Sequence, residues 1–386
     1  MVSDLGRIRT FLGEQHPPTP CLVVDPALVA ARAREFVDMF PGGRVRYAVK
    51  ANPAPEVLDE VLAAGAGFDV AGRAEIELCL ARGADPAKLA YGNTIKKPAD
   101  IEFAYARGVR EFTSDAESDV ENLARYAPGS AVYLRLLLDT PASVTPFGRK
   151  FGCEPAMALE LLLRAAELGL RPGVSFHVGS QQLDVSAWDI GIAAAAKVFA
   201  QAEAHGVVPE RLNIGGGFAT AYRESAPSLA EYAAGIEASL RKHFPGRLPE
   251  LTLEPGRAIV ADAGVIRTEV VLVSRKSATE ERRWVYLDIG RYNGLAETEN
   301  EAIAYRFEPV EDRGGPGGPV IVAGPTCDGD DVLYQRTPYE MALSLRAGDR
   351  FDIPGTGAYT ASYSSVDFNG IEPLRTYCLG RAADAG

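Results

Sequence analysis

Lys50, His177, Glu254, Arg257 and the glycine run 215–217 are the residues of this chain whose types and positions could do chemistry together. Lys50 closes the apolar run Val45-Arg46-Tyr47-Ala48-Val49 and is followed by Ala51-Asn52-Pro53 and a helical pattern. A lysine aimed inward at the C-terminal end of a buried strand loses solvation. That lowers the amine's pKa and makes it a nucleophile able to form a Schiff base. Alone, such a lysine is more often a snorkelling or paired surface residue. Its weight comes from the other polar motifs that end strands in the same way.

The elements that must position these groups repeat. Strand patterns at 45–49, 67–70, 89–92, 110–113, 131–138, 173–178, 210–214 and 250–254 alternate with helical ones. Pro53–Ala64 places Val57, Leu58, Val61 and Leu62 on one face and stops at Gly65; Arg73–Arg82, Pro155–Leu168 and Ser186–His205 are further helices. Eight strand–helix units predict a (β/α)8 barrel over 26–263 rather than an open sheet. From 264 the pattern turns to strands (264–273, 284–289, 320–323, 350–353), and Pro20–Val24 adds another. A β-rich second domain is therefore expected from 1–25 and 264–386.

In such barrels chemistry sits at the C-terminal strand ends, and phosphate often binds after strands seven and eight. Asp69 ends strand two, and strand six runs into Phe176-His177-Val178-Gly179-Ser180-Gln181. Strand seven runs into Gly215-Gly216-Gly217-Phe218 and strand eight into Glu254-Pro255-Gly256-Arg257. Bare backbone N–H groups and an arginine there can hold an anion. Taken singly, three glycines are a tight turn, His177 is a structural histidine, and Glu254 and Arg257 are a salt bridge. Together, a lysine, a flat ring, an anion cradle and a carboxylate meet the needs of pyridoxal 5′-phosphate.

Composition narrows the rest. Of 386 residues, 47% are apolar and 24% charged, as in a soluble globular protein. No run approaches a membrane span, and Met1–Arg7 has no apolar signal core, so a cytoplasmic protein is expected. Five scattered cysteines without a C-x-x-C pair argue against a disulfide framework or a metal site. A net charge of −12 disfavours nucleic acid as a partner.

Tyr47-Ala48-Val49-Lys50-Ala51-Asn52, His177-Val178-Gly179-Ser180, Gly215-Gly216-Gly217-Phe218 and Glu254-Pro255-Gly256-Arg257 resemble, in order and spacing, the fold type III pyridoxal-phosphate decarboxylases with their alanine-racemase-like barrel. Gly324–Asp331, Gly357–Thr360 and Asp367–Gly370 extend the resemblance over essentially the whole chain. Within the group the chain looks most like ornithine decarboxylases, including bacterial ones that also accept lysine. Diaminopimelate decarboxylase is the alternative, because it shares a segment like His177–Gln181. Cys327 followed by Asp328, and the Phe368-Asn369-Gly370 ending, favour ornithine or lysine. Arginine decarboxylases of this fold, usually far longer, fit less well. A non-catalytic regulator of the same fold would be expected to lose cofactor contacts that are all present here.

The resemblance implies a role for each residue. Lys50 carries the cofactor, His177 stacks on its ring, and Glu254 pairs with the ring nitrogen. Ser180, Gly215, Gly216, Gly217, Arg257 and Tyr359 hold the phosphate. Asp69 lies near the ring edge, with Arg135 in the strand beneath. Cys327 returns a proton to the substrate carbon, and Asp328 accepts the distal ammonium of a small basic amino acid. Tyr292 and Phe368 flank that substrate. Glu301, aligned from Tyr292 along a substrate-side helix, is expected to grip the same ammonium, with Glu297 and Glu299 as alternatives. Cys327 and Asp328 reach into the partner's site, so a homodimer with shared active sites is implied, linked by Lys150 and Asp331.

Overall fold

The computed structural model describes residues 5–140, 143–145, 148–311 and 313–380; the ends of the expected second domain, 1–4 and 381–386, lie outside these. Eight short strands, Arg44–Ala48, Gly67–Val70, Leu89–Tyr91, Glu111–Ser114, Ala131–Arg135, Arg171–Ser175, Arg211–Asn213 and Glu250–Leu253, close into an all-parallel barrel. The eighth pairs with the first through Thr252↔Arg44. Their central residues are largely apolar because helices cover the outside and side chains fill the inside. Tyr47, Phe68, Phe112 and Tyr133 are fully or almost fully buried. The helices fall within three residues of the sequence reading: Pro55–Ala63, Arg73–Ala81, Pro155–Glu167 and Ala187–Ala204. Pro55–Ala63 buries Val57, Leu58 and Val61, and Gly65 ends it at φ 86°, where a side chain would be strained.

The two ends of the barrel differ in kind. At the N-terminal end, Arg44 bridges Glu111 at 2.5 Å and Glu250 at 2.6 Å, and Arg46 reaches Glu111 at 3.2 Å with both side chains under a tenth exposed. These charges plug the bottom and neutralise one another. The C-terminal end is left for chemistry.

The chain divides into two compact units. The barrel unit is Ala30–Ala219 with Ala226–Ile259; the other joins Met1–Val29, Thr220–Ser225 and Val260–Gly386. In the second unit an eight-stranded sheet runs Glu308–Pro309, Arg350–Pro354, Gly264–Ser274, Arg283–Leu287, Gly317–Ala323, Val332–Ala342. Cys21–Val24 lies antiparallel to Gly264–Ser274 and parallel to Arg375–Cys378. The helix Gly6–Gln15 covers this corner, packing Ile8 and Leu12 on Cys21, Val23 and Val265.

Val332–Ala342 has no counterpart in the sequence reading because Pro338 interrupts its pattern. The strand survives because it bulges there. Its partner register jumps from Val320↔Tyr339 to Val322↔Tyr334, leaving 335–338 outside the ladder. A second short ladder that was not foreseen, Ser143–Thr145 with Ser180–Gln182, lies beside the barrel's sixth strand end.

Candidate active site

Lys50 departs from its expected setting. The first barrel strand stops at Ala48, and Lys50 sits beyond it in a 3-10 turn, Val49–Ala51, closed by the Tyr47 hydroxyl donating to Asn52 O at 3.0 Å. Its side chain is 51% exposed rather than aimed into a buried core. Its Nζ instead pairs at 3.1 Å with Oδ2 of Asp69, which is 5% exposed in the second strand.

Around this pair the strand ends gather their groups. His177 follows the sixth strand, and its Nδ1 accepts from Gly179 N at 3.0 Å, which leaves the ring proton on Nε2. Burial, together with the charges of Arg135 and Lys50, holds this imidazole well below its usual pKa. It is therefore a neutral flat ring near pH 7. Arg135 ends the fifth strand with its guanidinium 5.0 Å over the Phe151 ring. A cavity of about 480 Å³ opens beside Arg135, His177 and Gly179.

Glu254 follows the eighth strand. Burial and the Asp69 charge push its carboxyl up to about 7, opposed by Asn213, Lys50 and Arg135. Asn213 Nδ2 donates to Glu254 Oε1 at 2.5 Å while its Oδ1 accepts from Gly215 N at 2.9 Å. One amide thus fixes both the acid and the start of the glycine turn. Sequence reasoning missed Asn213, though an Asn two residues before a glycine at a strand end is an Asx-turn signature.

The glycine turn fits an anion cradle. A Cβ on Gly216 would lie 2.4 Å from Glu254 O, and one on Gly217 2.4 Å from Gly179 O. Gly215 and Gly217 have φ of 66° and 100°. Phe218 pins the end of the turn between Trp188 at 5.1 Å and Tyr232 at 5.4 Å. Arg257 Nη2 donates to Ser180 Oγ at 3.2 Å, joining two expected phosphate ligands. These residues fit pyridoxal phosphate: a cationic, amide-lined turn for the phosphate, a neutral ring to stack, and a buried acid for the nitrogen. Gly216→Ala should weaken cofactor binding by at least about ten-fold, or about 1.4 kcal/mol. An absorbance titration with the cofactor reads this; unchanged affinity would remove the turn from the site.

The remaining expected residues lie in the other unit. Tyr359 sits at φ 55°, a strained backbone for a bulky residue. The Tyr292 and Phe368 rings pack with centroids 4.6 Å apart and tilted by 33°, the Tyr292 hydroxyl bonds Asp328, and Cys327 N donates to Asn369 Oδ1 at 2.9 Å. Cys327 is exposed. Tyr292, Asp328, Phe368 and Cys327 are thus brought into one cluster.

Glu301 has another task. The expected helix is two short turns, broken by an extended Glu299 and by Asn300 at φ 54°. Glu301 turns away and accepts from the amides of Gln335, Arg336 and Thr337 at 2.6–2.9 Å. Those are the amides that the bulge releases from the ladder. Despite the opposing cost of burial, these bonds hold its carboxyl down at about 2. Asp331 is also spent internally. It is 2% exposed within this chain and accepts from Arg291 N and Thr326 N.

Comparison with known proteins agrees. The family described as "Pyridoxal-dependent decarboxylase, pyridoxal binding domain" matches residues 27–261. The chain is 32% identical to a lysine/ornithine decarboxylase of Selenomonas ruminantium, covering 92% of this chain and 88% of that one. It is also 32% identical to a diaminopimelate decarboxylase of Actinosynnema pretiosum, covering 92% and 82%. The arginine decarboxylase of Paramecium bursaria Chlorella virus, solved with agmatine, superposes with a TM-score of 0.86 at 26% identity. That alignment covers 96% of this chain and 100% of the viral one, so length does not set arginine enzymes apart as the sequence reading had it. The cofactor is pyridoxal phosphate, and the chain belongs to the fold type III pyridoxal-phosphate-dependent decarboxylases.

Proposed function

We propose that this chain decarboxylates L-ornithine to putrescine, with L-lysine as a second substrate giving cadaverine. We further propose that it acts as a homodimer with active sites shared between subunits. Bound pyridoxal phosphate supplies the electron sink for the pair left on Cα when carbon dioxide departs. Lys50 would hold the cofactor, with Asp69 beside the lysine nitrogen. His177 orients the ring by stacking. Glu254 would pair with the ring nitrogen and stabilise its positive charge. Ser180, the 215–217 turn, Arg257 and Tyr359 bind the phosphate.

The observation that carries the substrate reading is the Cys327-Asp328 pair. Cys327 is exposed, and its Sγ would return the proton to Cα. Asp328, beside Tyr292 and Phe368, presents a carboxylate to a distal ammonium. A second reading, meso-diaminopimelate decarboxylation to L-lysine, is favoured by the His177–Gln181 segment and by the Actinosynnema relative. Purified, cofactor-loaded protein offered ornithine, lysine, arginine and meso-diaminopimelate separately should release carbon dioxide with putrescine or cadaverine. Lysine from the diacid would move the assignment to the second reading, and agmatine from arginine would overturn both.

A further inference from the structure

We infer that Lys96 is a positioning residue for the Lys50–Asp69 pair, fastening the loop after the third barrel strand against the Asp69 carboxylate. The inference rests on the reading that Lys50 holds the cofactor.

Lys96 is an unusual lysine. Its side chain has no exposed surface, and its ammonium is surrounded by four oxygens: Asn93 O at 3.0 Å, Thr94 O at 3.2 Å, Thr113 O at 2.7 Å and Asp119 Oδ2 at 2.8 Å. Two belong to its own loop, one to the fourth barrel strand and one to the helix Glu117–Tyr126. Asp119 Oδ2 also accepts from Ser114 Oγ at 2.7 Å, which orients the carboxylate toward the amine. Burial pulls the amine's pKa down and the Asp119 charge opposes it. A buried ammonium is tolerated only when partnered this fully, so the geometry of the loop is dictated by it.

The loop so fastened forms a wall of the site. Gly92 N donates to Val70 O at 3.1 Å, and Asn93 Nδ2 donates to Ala71 O at 3.3 Å, tying the loop to the end of the second strand. Gly92 lies so close to Asp69 that a Cβ there would come within 2.0 Å of Oδ1. That Oδ1 is buried without a hydrogen-bond partner, while Oδ2 pairs with Lys50. The loop backbone therefore shields one oxygen from water and leaves the carboxylate's charge to the lysine. If the loop withdraws, water reaches Oδ1 and the hydrated carboxylate stabilises a protonated nitrogen on Lys50 less.

The test uses the cofactor-loaded protein with Lys96→Met and with Asn93→Ala, which cuts the loop's tie to Ala71 and leaves the buried lysine in place. Borohydride reduction followed by peptide mass spectrometry first locates the cofactor. A label away from Lys50 overturns the reading beneath this inference, and the inference with it. With the label on Lys50, the pH midpoint of the cofactor's visible absorbance is measured. Lys96→Met is expected to lower it by about one pH unit and to reduce kcat about ten-fold at unchanged KM. Asn93→Ala should move both in the same direction by less. A wild-type midpoint and kcat in Lys96→Met, with only a lower melting temperature, would make Lys96 a stabilising staple and overturn the inference. If Lys96→Met does not fold, Asn93→Ala decides, and an unmoved midpoint overturns it equally.

Discussion

Lys50→Ala is expected to abolish the visible absorbance of the cofactor-loaded protein and to lower kcat by at least about 10³-fold. The size follows from the loss of the amine that this reading gives to the cofactor. Lys96, also at the barrel's catalytic end, is enclosed by four oxygens and does not replace it. The fold should survive, because Lys50 is half exposed and lies in a turn outside the barrel ladder. Far-ultraviolet circular dichroism should therefore match wild type. A retained absorbance band in the variant would sink the assignment of Lys50.

Glu254→Gln should cost about 10²-fold in kcat, the usual scale for losing one preorganised charge opposite a developing one. It should also change how the cofactor-free protein responds to pH. The folded state raises this carboxyl from 4.5 to about 7, so folding favours the protonated form. The stability it contributes is fully present below pH 4.5 and is lost as pH rises to about 7. Glutamine cannot ionise and removes that slope. Melting temperatures of the two cofactor-free proteins should diverge across this window, with wild type falling relative to the variant. Parallel curves would show that the buried acid is not held as described. Cofactor binding, which sets a protonated nitrogen against the carboxylate, should bring wild type back above the variant near neutral pH.

The barrel was legible because its signals are local. Each strand is a short apolar run, each helix has its own period and stop, and Gly65 marks one boundary as the structure has it. The strand-end groups were legible for the same reason, since a residue after a barrel strand can lie only at the catalytic end. What stayed hidden depends on distant partners. Val332–Ala342 could not be read through Pro338, because the bulge that tolerates the proline is completed by Glu301 more than thirty residues earlier. For the same reason Glu301 looked like a free surface acid suited to substrate. The exposure of Lys50 was misjudged because the strand stops two residues before the lysine. Asn213 and Lys96 escaped notice because their types are ordinary, and only the oxygens and amides around them make them particular.

Among the described residues, the first strand and the last lie side by side in the sheet of the second unit. Cys21–Val24 lies between Gly264–Ser274 and Arg375–Cys378, so both its neighbours are synthesised after the whole barrel. At about 5–20 residues per second, a ribosome takes roughly 20–80 s over a chain of this length. For most of that time the strand Cys-Leu-Val-Val, fully apolar, has no edge to pair with. The barrel can close meanwhile on contacts from its own span. Synthesis thus imposes an order in which every barrel strand is made before either neighbour of Cys21–Val24.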